Sequence, residues 1–199
     1  MAYIKSALEI AMEKSKKIDK LSSREMSEIK QQKKIDEVLA KYYKDQIEAD
    51  ELWDHLKGIS NKLLINAQLN FIQSLTFQSN EYEIEKRKKG ILAVENLKEE
   101  NQSSDIELYF EQLSHILAEF KRNKEQLMQS LQEELEKDPQ RRLQTLKQGN
   151  QIVLKQLSLE EALEQDQQLK ENLKQLELQF NKKYDIVKEK LSNTINPES

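Results

Sequence analysis

Residues 104–137 read SDIELYFEQLSHILAEFKRNKEQLMQSLQEELEK. Apolar side chains recur at Ile106, Phe110, Leu113, Leu117, Phe120, Leu127 and Leu131, in steps of three and four that only Lys124 interrupts. That spacing lays them along one seam of a helix, as in a coiled-coil partner. Ser104, with Glu107 three residues on, matches a capping box, in which each side chain satisfies an orphan N–H of the first turn. Asp138-Pro139 ends or kinks the helix, because proline has no amide hydrogen and its ring collides with the preceding turn. At ~1.5 Å per residue the helix is roughly 50 Å long and needs partners of similar length.

The composition points the same way. Only three glycines and two prolines occur in 199 residues, against about 12 % combined in average usage, so the turns of sheets and phosphate-cradling loops are scarce. Charged residues make up 34 % of the chain and hydrophobic ones 37 %, a ratio that approaches disorder. The apolar residues nevertheless fall in stripes, which fits narrow seams between long, wet helices. The expected fold class is all-α, an elongated helical bundle with antiparallel coiled-coil pairing, in which 105–137 and 159–192 are major partners.

No cysteine is present, which removes disulfides, thiolate nucleophiles, zinc ribbons and iron–sulfur sites. The longest apolar runs, Leu63 to Ile65 and Ile91 to Val94, are far short of the ~20 residues of a membrane span. Glu9 and Glu13 interrupt any apolar signal core. A cytoplasmic protein is expected, and a net charge of −4 is too mild to imply a particular partner.

Taken in order, residues 3–21 place Ile4, Leu8, Ala11, Ile18 and Leu21 on one face of an amphipathic helix. Membrane docking is the alternative to packing for this face, but acids are mixed among its lysines. The stripe resumes after Ser22-Ser23 through Ile29, Ile35, Val38, Leu39, Tyr42, Ala49, Trp53 and Leu56, with Gly58 as a stop. Tyr42, Tyr43 and Trp53 are expected in the core.

Residues 62–78 carry both periods. Leu63, Ile65, Ala67, Leu69, Phe71, Leu75 and Phe77 alternate as in a strand, while Leu64, Ile65, Leu69, Ile72 and Leu75 fit a helix. Helix is the preferred reading, since a strand lacks a pairing partner. A small β-hairpin, if the chain has one, is expected within 62–85.

Residues 81–101 read as a helix that tolerates Gly90 at roughly 1 kcal/mol. The basic run Lys86-Arg87-Lys88-Lys89 follows Glu83 and Glu85 at helical spacing, the pattern of a salt-bridged solvent face. Pro139 opens a further helical segment through Leu143, Leu146, Ile152 and Leu157, weakened at Gly149. Ser158 with Glu161 caps a last long helix through Leu163, Leu169, Leu173, Leu176, Phe180, Tyr184, Val187 and Leu191. The chain thus divides into 1–58, 59–101, 104–137, 139–157 and 158–192, one elongated domain, with a frayed tail over 193–199.

The opening Tyr3-Ile4-Lys5-Ser6-Ala7-Leu8-Glu9-Ile10-Ala11-Met12-Glu13-Lys14, the Asp138-Pro139 break and the charged C-terminal helix resemble an uncharacterised bacterial family of all-helical proteins of about 200 residues, a domain of unknown function. The resemblance implies a bacterial, cytosolic helical protein and carries over no functional residue.

No catalytic, cofactor-binding or metal-ligating residue is expected. His55 and His115 each follow a glutamate by four residues, Glu51 and Glu111, whereas helical di-metal sites place it three before the histidine. Leu52 and Gln112 stand there instead. There is no Gly-x-Ser-x-Gly, no glycine-rich phosphate loop and no Walker lysine. Scattered basic clusters in an acidic chain do not make a nucleic-acid surface. The expected function is a non-catalytic scaffold or adaptor that binds a protein partner, or itself, through coiled-coil surfaces. A peripheral membrane regulator using residues 1–21 is the alternative, and a metal-dependent bundle enzyme a remote third.

Overall fold

A computed structural model describes residues 23–148 and 151–197; the amphipathic helix expected over 3–21 lies outside them. The described residues form seven α-helices, one 3-10 turn and a single two-stranded antiparallel hairpin. The all-α class therefore holds, with a minor β element. Contacts divide the chain into two compact units.

The first unit takes in the described residues through Phe71, together with Lys89–Ser103. It holds α1 (Ser23–Tyr43), α2 (Ala49–Leu56), most of α3 (Asn61–Gln73) and the end of α4 (Glu81–Glu95). The stripe expected to run unbroken to Gly58 is interrupted after Tyr43. Asp45 adopts φ 56°, its N–H bonds Tyr42 O at 3.1 Å, and Gln46 N–H bonds Lys41 O at 3.0 Å. That is a Schellman ending with aspartate in the left-handed position. Gly58, with φ 80°, closes α2 as expected.

α3 settles the ambiguity of residues 62–78. Through Gln73 the segment is helical, and the even-numbered Leu64, Gln68 and Ile72 are as buried as Ala67 and Phe71. Strand alternation would have put the even positions in water. Leu75 and Phe77 are buried beyond the helix end. The hairpin expected within 62–85 lies elsewhere.

Two polar side chains are fully buried in this unit, Gln68 and Glu95. Gln68 Nε2 donates to Ile91 O at 3.1 Å and to Glu95 Oε2 at 2.6 Å. Lys98 Nζ donates to Glu95 Oε2 at 2.9 Å, and the backbone N–H of Gln102 to Glu95 Oε1 at 2.8 Å. Both carboxylate oxygens are thereby engaged, as a buried charge requires. The network ties the turn after α4, where a helix had been expected to continue to 101, to α3. Tyr42 and Tyr43 stack around Phe71 with ring centroids 5.5 and 5.4 Å away. Trp53, expected with them, is exposed, with Lys57 Nζ 4.8 Å from its ring centroid.

The second unit comprises Ile72–Lys88 and the described residues from Ser104 onward. α5 (Ser103–Lys137) begins one residue before Ser104, which therefore lies inside the first turn and not ahead of it. Asp138-Pro139 does end it, and Asp138 Oδ1 accepts from Gln140 N–H at 3.2 Å to open a 3-10 turn over Pro139–Arg142. β1 (Leu143–Gln148) and β2 (Gln151–Gln156) follow, where a helix had been expected. Then come α6 (Leu159–Gln165) and α7 (Gln167–Ile195), split by Asp166, whose Oδ1 caps Leu169 N–H at 2.7 Å. The last helix was expected to be continuous there. It ends beyond expectation, since Ile195 is buried within it and not frayed.

Ring contacts join Phe77 to Phe120 at 4.9 Å, Phe120 to Phe180 at 5.8 Å and Phe77 to Tyr184 at 5.9 Å. Further along α5, Leu135 packs with Leu157 and Ala162, flanked by Leu131, Leu159 and Leu163. Later residues of α5 thus meet earlier residues of α6 and α7, so the pairing is antiparallel. Lys188 Nζ donates to Gln73 O at 3.3 Å and to Leu75 O, satisfying carbonyls that the end of α3 leaves free.

Two outcomes follow from this packing. A Cβ on Gly90 would stand 2.9 Å from Phe71 Cζ and 3.0 Å from Tyr42 Cε1. Overpacking then outweighs the helix propensity gained, and Gly90→Ala should destabilise the protein by about 1 kcal/mol in denaturant melts. An unchanged or raised midpoint would mean that the two rings yield freely. The Tyr184 hydroxyl is buried without a partner, and burial, then Asp185, pushes its pKa from 10.0 up to about 12. Stability present below pH 10 is therefore lost as the unfolded phenol ionises between pH 10 and 12. Tyr184→Phe should raise stability by about 1 kcal/mol at neutral pH and flatten the alkaline loss; a lower melting temperature would show that the hydroxyl has a partner.

Candidate interaction surface

The hairpin's orientation follows from its ends. Leu157, just after β2, is buried beside Leu135 and Ala162. Its N–H donates to Arg142 O at 2.8 Å, continuing the ladder in which Leu143 pairs with Gln156, Thr145 with Leu154 and Leu146 with Val153. Successive side chains of a strand point to opposite faces. Lys155 and Val153 therefore share the face of Leu157, together with Gln144 and Leu146 across the ladder.

That inner face is tied to α6 by polar groups. Lys155 Nζ donates to Glu161 Oε1 at 2.9 Å, and Gln144 Nε2 to Gln165 Oε1 at 3.1 Å. Glu161 also completes the capping box with Ser158, as the spacing predicts: Ser158 N–H donates to Glu161 Oε2 at 2.8 Å, and Glu161 N–H to Ser158 Oγ at 3.1 Å. The Ser158 N–H first, then Lys155, hold the Glu161 carboxyl below the usual carboxylate range. Acid that protonates Glu161 loosens this clamp.

The opposite face carries Leu143, Thr145, Ile152 and Leu154. All four are exposed, Ile152 by 70 % and Leu154 by 65 %. The outer face thus presents Leu143, Ile152 and Leu154 to water beside Thr145 and Gln156, while the inner face combines Leu146, Val153 and Leu157 with Gln144 and Lys155. Single exposed apolar residues are ordinary; these lie together on one face of the ribbon. This group falls in the stretch where the sequence reading counted a helix. The available signal was in the sequence alone: the dipeptide Gly149-Asn150, a pattern that sequence rules associate with a strand reversal, between short runs containing the β-branched Thr145, Ile152 and Val153.

The residues singled out in the sequence are dispersed. His115 is exposed, its Nε2 3.5 Å from Glu119 Oε1, and Arg122 approaches the same oxygen at 3.7 Å. His55 is half-buried on α2. Among the described residues no three side chains capable of holding a metal come together. In the basic run, Arg87 Nε donates to Ser74 Oγ at 2.8 Å, and Lys86 Nζ lies 5.7 Å from the Tyr82 ring centroid. Glu83 accepts from Asn80 N–H at 3.0 Å and so caps α4. Lys88 borders a shallow groove of about 210 Å³ with Glu85, Glu111 and Ser114, floored by Ile84 and Phe110. It is smaller than the ~300 Å³ at which small-molecule pockets begin, and its charges are of both signs.

A scan against family models matches residues 53–193 to a family of unknown function, DUF6657. The chain belongs to that family. The match covers α5, the hairpin, α6 and most of α7, but not the Tyr3 to Lys14 opening on which the resemblance to an uncharacterised family partly rested. No curated protein and no solved structure matches the chain. No helix among the described residues is long and apolar enough to cross a membrane.

Proposed function

We propose that this protein is a non-catalytic scaffold or adaptor of the bacterial cytoplasm, which binds a protein partner through a surface centred on the hairpin. One observation supports the reading above the rest. Gln144 and Lys155 are spent on contacts with the chain's own α6, while Ile152 and Leu154 face water. Apolar side chains grouped on one exposed ribbon face are what a bound partner would cover.

Affinity capture from a lysate of the source organism tests this directly. The full chain should retain a specific protein that the double variant Ile152→Lys, Leu154→Lys loses, with both baits equally helical by circular dichroism. Identical sets of retained proteins would overturn the hairpin's role.

A further inference from the structure

We infer that the hairpin's partner is the same hairpin of a second copy of this chain, joined edge to edge through β2. The inference rests on the reading of the hairpin as a protein-binding surface and names what it binds. The bond between Leu157 N–H and Arg142 O makes those two residues a hydrogen-bonded pair. Antiparallel pairs alternate, so Val153 and Lys155 exchange bonds with β1, while Ile152, Leu154 and Gln156 direct their N–H and C=O groups outward. The backbone groups that a new strand would pair with therefore belong to the residues whose apolar side chains face water.

The edge is complementary to itself. With a twofold axis at Val153, Ile152 of one copy stands opposite Leu154 of the other, outward-facing backbone meets outward-facing backbone, and each apolar side chain gains an apolar cross-strand neighbour. Lys155 then falls opposite Gln151, so no lysine faces a lysine, and Lys155 is already paired with Glu161. The β1 edge lacks this property: a twofold axis at Thr145 would place Leu143 against Lys147. The paired edge is only a few residues long, well below the ~800 Å² per partner of a standard interface, so a weak, reversible dimer is the expectation.

Sedimentation of the full chain should show its mass rising about twofold between about 1 and 100 μM. Leu154→Pro should remain a single copy throughout, because it removes an outward N–H while leaving the bonds between β1 and β2 in place; far-UV circular dichroism confirms that it is folded. The chain has no cysteine, so Val153→Cys places one thiol per copy at the twofold axis. Cα atoms there would lie ~4.5 Å apart, within disulfide reach. Oxidation should cross-link Val153→Cys at least tenfold faster than Leu146→Cys on β1. A wild-type chain that stays a single copy at 100 μM, or equal cross-linking of both variants, would overturn the self-pairing. If that single-copy chain still captures a protein that the double-lysine variant loses, the hairpin remains a binding surface and only the identity of its occupant is wrong.

Discussion

The burial of Leu157 between Leu135 and Ala162 is the constraint on which the distinctive part of this molecule depends. Side chains of a strand alternate with period two, so fixing Leu157 inward fixes Val153 and Lys155 inward and Ile152 and Leu154 outward. A slip of one residue would turn Ile152 and Leu154 inward and Leu146, Val153 and Leu157 outward, so each face offers apolar side chains and the register has to be chosen by specific contacts. Two polar ties, to Glu161 and Gln165, hold the observed register. Each is a surface contact worth little alone. Together with the apolar anchor at Leu157 they make the outward choice definite.

The rest of the second unit serves that anchor. Phe77, Phe120, Phe180 and Tyr184 join the loop after α3 to the antiparallel pairing of α5 with α7, and α5 continues past them to bring Leu131 and Leu135 to the hairpin's base. Only Leu135 is buried in that last stretch, where Leu127 and Leu131 are half-exposed. In the first unit the Gln68, Glu95 and Lys98 network and the close approach of Gly90 to Phe71 and Tyr42 do a different job. They fix one packing of three helices through groups that tolerate little substitution.

Much of this was legible in the sequence. The seam from Ile106 to Phe120, the stop at Asp138-Pro139, the Ser158 cap and the glycine stop at Gly58 follow from local rules, because proline, glycine and capping side chains act on their immediate neighbours. What the sequence hid was decided by less local physics. Asp45 takes a left-handed conformation usually given to glycine, so the end of α1 was invisible. Residues 62–73 carried both periods, and only the burial of Gln68 and Ile72 against other helices chose between them. In 143–156 the leucines fit helical spacing as well as strand alternation, and the outward face was illegible because both faces of the ribbon carry apolar residues.

Residue-resolved amide exchange of the full chain, followed by NMR at increasing protein concentration, tests the account most directly. In dilute solution Val153 and Lys155 should be protected by their bonds to β1, while Ile152 and Leu154 exchange freely. At high concentration protection should appear at Ile152 and Leu154 as the two β2 edges pair. Uniform protection across 139–157, as in a helix, or free exchange at Ile152 and Leu154 at every concentration, would contradict it.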